Sequence, residues 1–118
     1  DGWSAVQFAA INSHVSIVEF LVKEMGADIN TVDRNNRSML HWACRYGNDK
    51  LTESLLKMDI KYNLHDVEKK IPMDIAEIHK QVNCIEVLGK FMYERNEEIK
   101  RKAKILEEKK KKEEKDKE

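Results

Sequence analysis

Asn36-Arg37-Ser38-Met39-Leu40-His41-Trp42-Ala43-Cys44 decides the fold of this chain, because it is one of three versions of a single statement. About 33 residues earlier stands Asp1-Gly2-Trp3-Ser4-Ala5-Val6-Gln7-Phe8-Ala9-Ala10, closed by Gly26-Ala27-Asp28-Ile29-Asn30. About as far beyond it stands a worn copy, Lys70-Ile71-Pro72-Met73-Asp74-Ile75-Ala76. The second statement closes near Asn63, and the third has no closing segment. A period of this length means stacked supersecondary units, none able to bury its apolar face alone.

Each unit reads as helix, turn, helix and extended loop. Ser4 and Ser38 stand where a hydroxyl can accept from an orphan N–H of a first helical turn. Pro72 sits at a first helical position, where its missing N–H costs little. Small Ala9, Ala10, Ala43 and Ala76 let helices approach closely. Ser13-His14 and Gly47 mark the turns within units. The second helices carry apolar stripes at helical spacing: Ile17, Val18, Leu21 and Val22, then Leu51, Leu55 and Leu56, then Ile85 and Leu88. Gly26 supplies the positive φ of a helix C-terminus.

The charges of the 118 residues balance to zero, yet they are unevenly placed. From Glu97 onward Lys, Arg, Glu and Asp dominate, so a domain carries a charged tail. Apolar Ile85, Leu88, Met92, Ile99 and Leu106 lie close to a heptad seam that lapses at Arg95 and Lys102. Opposite charges fall four apart at Glu97/Arg101, Glu98/Lys102, Glu107/Lys111, Glu108/Lys112 and Glu113/Lys117. Each such pair favours a helix by about 0.2–0.5 kcal/mol. The spacing predicts that the last repeat helix runs on into a solvated one that frays at its end. This tail is a spacer, a partner-binding coiled-coil strand or a solvated helix without a partner.

The chemistry of catalysis is not in this sequence. It has no Gly-rich phosphate loop, no His-Glu-x-x-His and no Cys-x-x-Cys, so no cofactor or metal is expected. Cys44 and Cys84 are far apart and read as small buried hydrophobes of a reducing compartment. Asp74 near His79 lacks a nucleophile, and no catalytic residue is assigned. No apolar run approaches the roughly 18 residues that cross a bilayer, so no membrane insertion of this segment is expected. Lys109–Lys112 is flanked by glutamates and no aromatics, which disfavours nucleic acid. The chain opens with Asp, inside the repeat pattern, and reads as a piece of a longer intracellular, cytoplasmic protein.

The repeated motifs resemble those of the ankyrin-repeat family. The family's capping stretch is matched by Ser4-Ala5-Val6-Gln7, Ser38-Met39-Leu40-His41 and Ile71-Pro72-Met73-Asp74. Its turn is matched by Ser13-His14 and Gly47-Asn48, and its closing loop by Gly26 to Asn30. Asn36 replaces a glycine that Gly2 supplies in the first unit. The resemblance implies an all-α helical solenoid over 1–93, in units 1–32, 33–65 and a degenerate 66–93, with a charged helical tail over 94–118. It implies that His41 and His14 are structural, His41 bridging neighbouring repeats.

It also implies a concave partner-binding surface. By register with the family, the residues free for it are Trp3, Ile11 and Asn12, then Arg34, Asn35, Arg37, Arg45 and Tyr46, then Lys70, Ile78 and His79. Trp3, Arg37, Arg45 and Tyr46 form an aromatic–basic patch suited to an acidic protein segment. Trp3 can equally pack against a preceding repeat. The function implied is non-catalytic protein interaction or scaffolding, in a structural subunit of a large, cytoskeletal assembly. Two alternatives stay open: the regulatory ankyrin region of a membrane channel or palmitoyltransferase, and a nucleic-acid-associated factor.

Overall fold

A computed structural model describes residues 5–12 and 14–116. Among the described residues six helices follow one another: α1 Ala5–Ile11, α2 Val15–Lys23, α3 Met39–Tyr46, α4 Asp49–Lys57, α5 Pro72–Ile78 and α6 Val82–Asp116. The chain divides into two compact units, residues 1–88 and 89–118. In the first, α1 packs on α2 and α3, α3 on α4 and α5, and α2 on α4. This is an all-helical stack, in which the described residues show only an isolated bridge, Val32 to Ser38, in place of a sheet.

The core lies between the helix layers. Val6, Ala9, Ala10, Val18, Met39, Leu40, Ala43, Leu51, Leu55, Leu56, Ile75, Ala76 and Leu88 are buried. Cys44 and Cys84 are buried free thiols within it. The Thr52 hydroxyl reaches Cys84 Sγ at 3.6 Å and Cys84 Sγ faces the Ala43 carbonyl at 3.8 Å, so α3, α4 and the first turn of α6 meet there.

The local signals act where they stand. Ser38 N-caps α3, Pro72 opens α5, and Gly47 ends α3 with a left-handed φ of 71°. The Ser4 cap lies outside the described residues. Gly47 also makes room for a neighbour, since a Cβ there would meet the side-chain amide of Gln81. That amide donates to the Arg45 carbonyl at 2.9 Å, satisfying an orphan group at the end of α3.

Left-handed backbone recurs in register. Gly26 (φ 69°) is matched by Asp59 (65°), Asn36 (58°) by Lys69 (63°), and Gly47 by Lys80 (55°). Asn tolerates this region, whereas Lys is held there at a cost of about 1–2 kcal/mol. Glycine would relieve that strain but cost about 0.4–1 kcal/mol through the greater entropy of the unfolded chain. Lys69→Gly and Lys80→Gly are each therefore expected to stabilise the fold by about 0.5–1 kcal/mol. Urea midpoints check this, with Asn36→Gly expected to destabilise instead, because it also removes the Asn36 Nδ2 bond to the His65 carbonyl.

In the unit 89–118, α6 continues as a solvated helix. Lys102 pairs with Glu98 at 3.3 Å, the expected spacing of four. Glu97 pairs with Lys100 at 3.6 Å, a spacing of three in place of the expected Arg101. Both spacings bring side chains to one face of a helix, so exposed charges can take either.

Candidate functional site

The loops before α3 and α5 are built alike around an aspartate. Asp33 Oδ1 accepts the N–H groups of Asn35 (2.9 Å) and Arg37 (3.0 Å). Asp66 Oδ1 accepts those of Glu68 (2.8 Å) and Lys70 (2.9 Å). The backbone closes each loop with Asp33 N to Arg37 O and Asp66 N to Lys70 O, both 3.0 Å. The remaining carboxylate oxygens are used differently. Asp33 Oδ2 accepts from Trp42 Nε1 at 3.1 Å, and Asp66 Oδ2 lies 3.5 Å from Arg37 Nε.

Neighbouring loops are also tied together. The Val67 N–H donates to the Asn35 carbonyl at 3.0 Å, and Asn36 Nδ2 donates to the His65 carbonyl at 2.7 Å. His41 joins helix to next loop. The Ser38 N–H meets its Nδ1 at 3.1 Å, and its Nε2 meets the Lys70 carbonyl at 3.0 Å. A backbone N–H can only donate and a carbonyl only accept, so these partners select the neutral ring protonated on Nε2. Burial lowers the His41 pKa; the Lys70 carbonyl and nearby Asp66 and Asp33 oppose this, and Arg37 reinforces it.

Asp66 is balanced the other way. Burial works to raise its pKa. The N–H donors of Lys70 and Glu68, with the Arg37 guanidinium beside it, outweigh burial and hold it below the usual carboxylate value.

Upon this frame α3 presents one aromatic, cationic face. Trp42, Arg45 and Tyr46 are spaced three and four apart and share a side of the helix. The Tyr46 ring stacks on Trp42 with centroids 5.9 Å apart and planes 16° from parallel. The Arg45 guanidinium lies 5.8 Å from the Trp42 centroid and the Arg37 guanidinium 5.6 Å. Both fall within cation–π range. Tyr46 stays 59% exposed despite this packing.

Of the expected contact residues, this brings together Arg37, Arg45 and Tyr46. Arg37 is partly spent, its side chain only 17% exposed and flanked by Asp66 and, at 3.8 Å, Glu68. Lys70 Nζ is 3.3 Å from Glu68 and its backbone serves the loop. Asn35 is exposed but its backbone is engaged in the loop contacts; Arg34 is exposed at the same tip. Asn12 and His79 are exposed at the ends of α1 and α5, and Ile78 beside His79 is 54% exposed. Asn12 Nδ2 donates to the Phe8 carbonyl at 2.9 Å. Trp3 lies outside the described residues.

Sequence reasoning missed Trp42 as the platform, and Asp33 and Asp66 as the loop anchors. One signal was available: the two aspartates stand 33 residues apart, in the register of the other motifs. Among the described residues no three His, Cys, Asp or Glu side chains cluster as metal ligands, and no helix is long and apolar enough to cross a membrane.

Paired helices in a repeating register, joined by loops built alike around an aspartate and offering an exposed aromatic face, define a helical-repeat protein of the solenoid class. The family profile described as "Ankyrin repeats (3 copies)" matches residues 1–66, and the chain belongs to the ankyrin-repeat family. Inversin of Homo sapiens is 32% identical over 91 residues, which is 77% of this chain and 8% of that inversin. Inversin of Canis lupus familiaris is 30% identical over the same span and shares. The crystal structure of the human ASB11 ankyrin repeat domain superposes with a TM-score of 0.68 at 27% identity, covering 75% of this chain and 40% of that one. The chain thus spans less than a tenth of the length of the inversins it matches.

Proposed function

We propose that this chain is a non-catalytic protein-binding module whose contact surface centres on Trp42, Arg45 and Tyr46, on the concave side of the repeats. The supporting observation is the stack itself. Tyr, Trp and Arg, the residue types that most often dominate interface energetics, converge on one exposed helix face. Arg37 is neutralised by Asp66 and Glu68, so Arg45 offers the available charge. The partner is an acidic protein segment, with Asn12, Arg34, Asn35, Lys70 and His79 at the rim. The repeats occupy 1–93 and the tail 94–118, the tail touching a second protein. A scaffold within a large intracellular, cytoskeletal assembly suits a 35-residue α6.

The test is affinity purification and titration calorimetry with Arg45→Glu and Tyr46→Ala. Neither side chain supports the loops, so the fold is expected to persist. Binding to the captured partner is expected to weaken at least about tenfold for each change, or about 1.4 kcal/mol. A partner set and affinities indifferent to both changes would remove this face from the reading.

A further inference from the structure

The exposed part of α6 carries two columns of unlike chemistry on one side. Met92, Ile99 and Leu106 recur every seven residues. Arg95, Lys102 and Lys109 recur with the same period, each three residues further on. Positions three and four apart share a helix face, and a period of seven keeps both columns aligned as a coiled-coil seam. Ile99 and Leu106 are 57% and 59% exposed. By the same spacing Glu97, Glu107 and Glu108 fall on the far side of the helix.

From this juxtaposition we infer that the seam at 92–109 is a docking site for an acidic amphipathic helix. The inference deepens the reading of the tail as a second contact and is independent of the Trp42 face. The bound helix places Leu or Ile over Met92, Ile99 and Leu106, and Glu or Asp over Arg95, Lys102 and Lys109.

Charge complementarity selects this occupant. A parallel second copy would set Arg95, Lys102 and Lys109 each against its own counterpart, three like-charge layers in one seam. An antiparallel copy would set cations against the apolar column and leave their charges unmatched. An anionic bilayer suits a broad apolar face, whereas here the exposed Ile99, Ile105 and Leu106 are interrupted by Glu98, Lys102 and Lys109. Cations also outnumber acids twelve to nine over 89–118, so an acidic partner gains from the unit's whole field. The existing contacts of the cations are easily exchanged. Lys102 and Glu98 pair with both side chains more than half exposed, and Arg95 lies 5.6 Å from the Phe91 ring centroid.

The test titrates the full chain with two synthetic four-heptad peptides. One has Leu at a and Glu at d, the other the reverse, which covers both helix directions. One peptide is expected to bind, more weakly at high salt. Arg95→Glu/Lys102→Glu/Lys109→Glu should weaken it at least tenfold and transfer preference to a third peptide, the bound one remade with Lys in place of Glu. Ile99→Ala/Leu106→Ala, which keeps good helix formers, should weaken it comparably with the circular dichroism unchanged. Arg45→Glu should leave it intact, so a failure here and a failure of the Trp42 face are told apart.

Binding indifferent to both tail variants overturns the inference. So does tighter binding to phosphatidylserine vesicles or to duplex RNA than to either peptide. Self-association of the chain alone, abolished by Ile99→Ala/Leu106→Ala, also overturns it.

Discussion

Asp66→Ala is expected to destabilise the repeat unit by about 3 kcal/mol or more, measured by urea unfolding. The Asp66 side chain is completely buried and Arg37 is 17% exposed, so solvent screens the pair little. One carboxylate oxygen holds the N–H groups of Glu68 and Lys70, and the other faces Arg37 Nε. Alanine would orphan two backbone donors and leave a guanidinium without its nearest counter-charge. Asp66→Asn keeps an oxygen for the loop but loses the charge and sets an amide N–H against the Arg37 Nε donor, so a smaller though still clear loss is expected.

The same carboxylate implies a low-pH limit. Its folded-state pKa is depressed, so the unfolded chain binds the proton more readily. Its contribution is full above the unfolded value near 3.9 and is lost as pH falls through the folded value. Asp66→Asn should flatten that limb of the stability profile. An Asp66→Ala midpoint within error of the parent would contradict the account of both loop and ion pair.

The parts of the fold legible in the sequence are those whose cause is local. Ser38 caps the helix it begins, Pro72 opens α5, and Gly47 ends α3 in the left-handed region. None needs knowledge of a distant residue. Asn36 can be read as a glycine substitute because its φ is a property of its own turn. Arg37 is a different case. As a cation in a turn it reads as a contact residue, yet the next loop brings Asp66 beneath it from 29 residues away.

Trp42 is hidden for a similar reason. Its neighbours Arg45 and Tyr46 lie within one helical turn and stand out singly. The Asp33 carboxylate that orients the indole comes from a loop whose closure the sequence does not display. The tail shows the opposite limit. Its helix follows from composition, but the choice of Lys100 over Arg101 by Glu97 is made among solvated side chains of nearly equal energy.

His41→Ala is the second large loss, expected at about 2–4 kcal/mol, since it strands the buried Ser38 N–H and the Lys70 carbonyl and leaves a void. The first unit supplies a natural control. Gln7 holds the register of His41 and is likewise buried. A glutamine amide offers both an acceptor and a donor, so His41→Gln is expected to restore most of the stability without a titrating ring. The pH dependence separates the two roles. Burial lowers the His41 pKa in the folded state, so the unfolded chain takes up the proton first. Stability is therefore greatest above the unfolded value near 6.5 and declines as pH falls from there toward the folded pKa. A protonated Nδ1 could no longer accept from Ser38, and the tie between α3 and the Asp66 loop would loosen. Chemical denaturation at pH 7.5 and 5.5 should show this decline in the parent and little of it in His41→Gln. An equal decline in both proteins would mean that His41 is not the group carrying it, and that the bridge tolerates the charged ring.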